Sequence, residues 1–137
     1  MVDKKNGGYG SVLELAISKI DSEFFMICDP DDWLTSDAVE VLLDNALRNK
    51  SDIVIGNRYD VYNTENQEPQ MVDVTCNDIY VDKKNVYVGE DCCKAAFCDV
   101  SPHSKLYRTS ICKDITFEKN VSYTDTTLFL VALIYIY

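Results

Sequence analysis

Asp29, Asp31 and Asp32 crowd three carboxylates into four residues of the segment Asp29-Pro30-Asp31-Asp32-Trp33. Carboxylates this close repel one another unless water or a cation screens them. Oxygen ligands suit Mg²⁺ or Mn²⁺, and those ions suit phosphates. The alternative is a solvated acidic turn that caps the following helix. An EF-hand is excluded. With Asp29 at its first position, Trp33 takes the fifth and offers no oxygen, and Leu34 stands where the loop needs glycine.

Other residues invite chemical readings. The loop Asn6-Gly7-Gly8-Tyr9-Gly10 could cradle a phosphate on backbone N–H groups at a helix start, or be a tight turn. His103, the single histidine, could touch a phosphate or a metal, or make a structural hydrogen bond. Lys105 and Arg108 could neutralise an anion, although Arg108 could equally sit on the surface. Trp33 could stack on a ligand ring or pack beneath its loop. Cys92, Cys93, Cys98 and His103 lack the paired knuckle spacing of a structural zinc site and read as buried thiols in a helix.

These groups need elements to hold them. Val12, Leu13, Ala16, Ile17 and Ile20 share a helical face, with Ser11 as a plausible N-cap. Phe24–Cys28 is a continuous apolar run, the pattern of a strand covered on both faces in a parallel sheet. The acidic segment follows it, where open α/β sheets bind ligands. Ser36 can cap a second helix with the stripe Val39, Leu42, Leu43, Ala46 and Leu47. Asp52–Gly56 reads as a second buried strand. Residues 57–89 read as a loop with two or three extended segments, and residues 90–98 as a short helix. Ser101–Thr109 reads as extended, leading to a short helix near Ser110–Lys113. A final apolar helix starts near Thr126. The rhythm is that of an α/β domain, with helices on a mainly parallel sheet.

The chain has 137 residues, 47% of them hydrophobic, with formal net charge −10. That length fits one domain. The acidity excludes nucleic acid as a partner, because phosphate backbones bind clustered Lys and Arg. It also argues against docking on an anionic membrane surface. Six cysteines without an export signal favour a reducing, cytoplasmic setting.

Four segments together resemble the inverting family 2 glycosyltransferases of GT-A fold. They are Asn6-Gly7-Gly8-Tyr9-Gly10-Ser11, Glu23–Trp33, His103-Ser104-Lys105-Leu106-Tyr107-Arg108-Thr109 and Tyr123-Thr124-Asp125. The likeness is to bacterial members with an N-G-G-x-G-S loop, a D-x-D-D-W segment, H-x-x-x-Y-[KR]-T and Y-x-D in that order. It spans roughly residues 4–133 and implies transfer of a sugar from a nucleotide-sugar donor to a glycan or lipid-linked acceptor, in cell-surface polysaccharide synthesis. Asp29 and Asp31 would hold Mg²⁺ or Mn²⁺ on the donor diphosphate, and Asp125 would be the catalytic base. Asn6, Gly7, Gly8 and Asp32 would contact the donor. Trp33, His103 and Lys105 would contact acceptor or phosphate. Family members often carry Asn where this chain has Glu14.

The resemblance starts after the family's opening strands. Residues 1–137 therefore read as one incomplete GT-A domain, with 1–56 bearing the cation loop and 57–137 the acceptor side. Peripheral attachment to the inner face of a membrane would fall to regions outside the chain. Exposed strand edges would favour homo-oligomers. Two alternatives stand beside the enzyme: a truncated, inactive remnant, and an acidic module that binds divalent cations.

Overall fold

The structure, a computed structural model, describes residues 3–61, 68–72 and 85–136. The elements run α1 (Tyr9–Lys19), β1 (Phe24–Met26), α2 (Ala38–Asn49), β2 (Ile53–Ile55), β3 (Arg58–Asp60) and β4 (Gln70–Val72). A 3₁₀ helix (Gly89–Phe97), β5 (Lys105–Arg108), α3 (Thr109–Cys112) and α4 (Thr124–Ile136) follow. Of the extended segments expected in 57–89, β3 and β4 are formed and pair with each other. Residues 62–67 and 73–84, with Cys76, lie outside the described residues.

The central sheet has the order β1-β5-β2. β1 and β2 point the same way, as the buried-strand reading requires. The expected mainly parallel sheet is nevertheless corrected: β5 runs between them and pairs antiparallel with both. The reason lies in β5 itself. Leu106 and Tyr107 are both buried and project to opposite faces, so this strand needs cover on both sides and takes the middle place.

Alternation along the strands divides the core. Phe24, Met26, Val54 and Leu106 meet Leu42 and Ala46 of α2 on one face. Phe25, Ile53, Ile55 and Tyr107 turn to the other, where they join Leu13, Ile17, Phe117, Leu128, Phe129 and Ala132. Phe25 stacks on Tyr107 with ring centroids 5.5 Å apart. The layers are therefore α2, the sheet, and then α1 with α3 and α4. In α2 only the middle of the expected stripe is covered; Val39 and Leu47 remain exposed because three short strands are too narrow to reach them. In α1 the buried residues are Gly10, Leu13 and Ile17. Val12 and Ala16 are exposed. The helix starts before Ser11, with Gly8 as its cap, and the Ser11 hydroxyl donates to the Gly8 carbonyl at 2.7 Å.

One end of the sheet is tied by charge. The Arg108 guanidinium donates to Asp52 at 2.6 Å, pairs with Glu23 and lies 4.5 Å over the Phe24 ring. Burial opposes its charge, but the hydrogen bonds to Glu23 and Asp52 outweigh that and hold it above the ordinary arginine value. Arg108 thus closes the end away from the acidic segment and is no diphosphate ligand.

Candidate functional site

Asp29 stands three residues past the end of β1, and His103 two residues before β5. Carrying the register Phe24↔Arg108, Phe25↔Tyr107, Met26↔Leu106 outward by three residues sets Asp29 opposite His103. On the other side of β5 the ladder also continues, with the Gly56 N–H donating to the Ser104 carbonyl at 2.7 Å. The imidazole accordingly lies among the carboxylates, with Nε2 3.8 Å from Asp29 Oδ2 and Nδ1 3.4 Å from Asp32 Oδ2.

The acidic segment itself is a turn. The Asp32 N–H donates to the Asp29 carbonyl at 3.0 Å, with Pro30 at the second position, where its fixed φ favours a β-turn. A four-residue turn brings its first and last residues together. Asp29, Asp32 and His103 offer ligand atoms all within 4.8 Å of one another, and Asp31 is outside this group. The sequence-based pair Asp29 and Asp31 is thus not the pair the turn brings together. Cys28, expected in the core, is exposed, because the paired strand ends at Met26 and the turn begins.

Sequence reasoning missed Tyr9. Its hydroxyl donates to Asp29 Oδ1 at 3.2 Å. Partial burial, then the Asp29 charge and this hydrogen bond, and then the Asp125 charge push the phenol up to about 12. Tyr9 sits inside a glycine loop, and only a contact twenty residues along the chain reveals its use.

Two clefts flank the cluster. The first, about 540 Å³, is lined by Gly8, Tyr9, Asp29, the loop 120–124 and Asp125. The structure therefore brings the expected base and the first aspartate of the turn to one cavity. Its wall is shaped by backbone: Asn120 and Tyr123 have φ of 59° and 62°. Gly8 (φ 82°) packs so close to Asn120 that a Cβ would lie 3.4 Å from its nitrogen. Gly10 is tighter still. A Cβ there would stand 2.8 Å from Phe117 Cβ and 2.9 Å from Thr124 Cγ2, so only glycine lets α1 lie against the start of α4.

The second cleft, about 710 Å³, holds Asp31, Asp32, Trp33, Arg58, Tyr59 and His103 on its walls. Trp33 is 68% exposed and Tyr59 53%, so Trp33 does not pack beneath its loop. Arg58 pairs with Asp60 at 3.0 Å and with Asp99. Burial pushes the Asp99 carboxyl up, but the Ser101 N–H and the Arg58 guanidinium outweigh it and hold it below its ordinary range.

The remaining expected site residues fall elsewhere. Asn6 Oδ1 accepts the Gly8 N–H at 3.1 Å, closing the turn, and neither Asn6 nor Gly7 lines the first cleft. Lys105 is corrected as a phosphate contact. It is wholly buried, donates to the Ser101 carbonyl and lies 4.8 Å over the Phe129 ring. Its alternation with Leu106 sends it inward, and burial pulls its ammonium down to about 8, against the attraction of Asp99. Cys92 and Cys98 are buried as expected, but Cys93 is exposed, a correction to the reading of all three as buried thiols; Cys112 is buried as well, and among the described residues no metal-binding grouping includes a cysteine. No helix among the described residues is long and apolar enough to cross a membrane.

The family model described as Glycosyl transferase family 2 matches residues 1–116. No curated protein and no solved structure matches the chain.

Proposed function

The chain belongs to glycosyl transferase family 2, and we propose that it moves a sugar from a nucleotide-sugar donor to a glycan or lipid-linked acceptor, with inversion and with the help of a divalent cation. The observation that carries this reading is the shared cleft of Asp29 and Asp125. A residue suited to hold a donor diphosphate and one suited to take a proton face the same space.

In this reading Asp125 accepts the proton of the acceptor hydroxyl as its oxygen bonds to the anomeric carbon. The bond from that carbon to the nucleoside diphosphate breaks in the same displacement, so the configuration inverts. The carboxylates on the cleft wall also favour the positive charge that develops on the sugar. Tyr9, bonded to Asp29, keeps one carboxylate oxygen directed and leaves the other for the cation side. Asp29 and Asp32 of the turn, with His103 from the segment before β5, would suit Mg²⁺ or Mn²⁺, since two carboxylates and an imidazole converge there. When bound, the ion supplies Lewis-acid neutralisation of the leaving diphosphate.

Residues 1–56 supply the donor side of this domain and 57–137 the acceptor side. Trp33 beside the larger cleft supports an acceptor with sugar rings, on which its indole can stack. The cell-surface setting rests on the resemblance to bacterial members. Buried thiols at Cys92, Cys98 and Cys112, used as apolar core groups, support a cytoplasmic location.

Thermal unfolding tests the donor site. With Mn²⁺ present, one of UDP, GDP or dTDP is expected to raise the midpoint as its concentration passes its Kd. Asp29→Asn is expected to remove that rise. If no nucleotide shifts the wild type, the chain is the inactive remnant; if Ca²⁺ alone shifts it, the acidic binding module is favoured instead.

A further inference from the structure

We propose that Tyr123 is the platform on which the acceptor's sugar ring stacks, so that the hydroxyl attacking the donor belongs to an uncharged pyranose. The inference rests on the proposed function for the role of Asp125, and it names the class of acceptor that the same cleft takes.

Tyr123 stands where a tyrosine is unfavourable. Its φ of 62° lies in the left-handed region, which crowds any residue with a Cβ and is usually filled by glycine or asparagine. Asn120, with φ 59° in the same loop, follows that rule; Tyr123 breaks it. The backbone has a use for this conformation, since the Tyr123 carbonyl accepts the Thr126 N–H at 3.2 Å as α4 begins. A carbonyl is common to every residue type, however, and does not call for an aromatic ring. Packing does not call for one either. Tyr123 is 83% exposed, more than any other large hydrophobic side chain among the described residues. A strained backbone that carries an uncovered ring gains nothing in folding, and such outliers cluster where ligands bind.

The place of the ring points to the ligand. Tyr123 lines the first cleft with Asp29 and Asp125, two positions before the residue read as the base. A tyrosine offers a flat apolar face and a polar tip. That suits the C–H face of a pyranose, whose hydroxyls need polar partners at its edge. Charge narrows the class. The charged side chains on the cleft wall are Asp29 and Asp125, both acidic, and the face of an aromatic ring is itself electron-rich. A uronate or a sugar phosphate stacked on Tyr123 would set its anion close to the Asp125 carboxylate, where like charges repel. An uncharged ring avoids this and brings a hydroxyl to Asp125. The same repulsion disfavours a bare lipid phosphate as the reacting group.

Saturation-transfer difference NMR tests this on the full chain, with Mg²⁺ and each of UDP, GDP and dTDP. The probes are the methyl glycosides of glucose, galactose and N-acetylglucosamine, with methyl glucuronide and glucose 6-phosphate as anionic counterparts. At least one neutral glycoside is expected to bind saturably, and neither anion is. Tyr123→Phe, which keeps the ring, is expected to bind as the wild type does. Tyr123→Ala and Tyr123→Gly are expected to weaken binding about five- to tenfold, with the nucleotide-induced thermal shift unchanged. Tyr123→Gly is also expected to melt no lower than the wild type, since glycine accepts positive φ. Failure of every neutral glycoside to bind, or anions that bind as tightly as neutral rings, overturns the proposal. So does a Tyr123→Ala protein with wild-type glycoside binding, which would leave the sugar to Trp33 in the larger cleft. A Tyr123→Gly protein that melts well below the wild type overturns it by making the ring a structural prop. Tyr123→Ala weakened for nucleotide-sugars but not for nucleoside diphosphates overturns it by assigning the ring to the donor's sugar. A nucleotide-induced shift that persists alongside any of these results leaves the proposed function standing. Its absence from the wild type, with glycoside binding intact, marks the chain as the inactive remnant and leaves Tyr123 as a saccharide contact.

Discussion

At the residue scale the molecule separates the charges of the proposed site from charges that are structural. Lys105 is the clearest structural case. Its ammonium lies over the Phe129 ring and donates to the Ser101 carbonyl, and burial pulls it down to about 8 from an ordinary 10.5. Below 8 the lysine is protonated in both states, and folding must bury a charge. Between about 8 and about 10.5 the unfolded chain holds the proton and the folded chain does not, so the contribution of this residue to stability rises with pH. The gain is at most about 3 kcal/mol. Chemical denaturation of wild type and Lys105→Met across that range is therefore expected to show their difference moving toward the wild type. Comparing the two proteins cancels the opposing effect of Tyr107 and Cys112, whose burial raises their pKa values. A constant difference would mean that Lys105 is not desolvated as described. The sequence could not reveal this, because a lysine in a motif looks like a phosphate ligand until the strand's alternation shows which way it points. The Asp29–Asp32 pairing was legible in principle: Asp-Pro-Asp-Asp is a turn signature, and a turn joins first to fourth. The spacing of a metal motif concealed it.

At the element scale, Phe24–Cys28 gave away a strand with both faces covered, and the structure has α2 on one side and α1 with α4 on the other. The acidic segment at its end was equally legible. Strand direction was not. A run of Lys105-Leu106-Tyr107-Arg108 carries no mark of running backward between two others, and only pairing across the chain fixes it. Helix boundaries drifted for a related reason, since Gly8 rather than Ser11 caps α1. The most consequential helix contact is set by a single absent methyl group. Gly10→Ala would force a Cβ to within 2.8 Å of Phe117 and 2.9 Å of Thr124. Overpacking of this kind costs about 1–3 kcal/mol. It also pushes Tyr9 and Asp29 away from the loop that carries Asp125. The variant is expected to melt lower and to lose nucleotide-dependent stabilisation even where it remains folded. A variant with wild-type melting would show that α1 and α4 are not in close contact.

At the scale of the whole molecule, the architecture puts an ion-pair lock at one end of the sheet and the proposed site at the other. Arg108, Glu23 and Asp52 lock the far end. At the near end, β1 delivers Asp29, β5 brings His103 beside it, and the loop before α4 brings Asp125 to the same cleft. Such an arrangement joins residues nearly a hundred positions apart, which is why the sequence offered the two aspartates separately and only the fold places them together. The most direct test is the rate of nucleoside diphosphate release from UDP-, GDP- and dTDP-sugars with Mn²⁺ present, for wild type and Asp125→Asn. The account expects release by the wild type from at least one donor. It expects Asp125→Asn to retain nucleotide-induced stabilisation while its release rate falls by about 100-fold or more. Release at the wild-type rate by Asp125→Asn, or no release from any donor by the wild type, would contradict it.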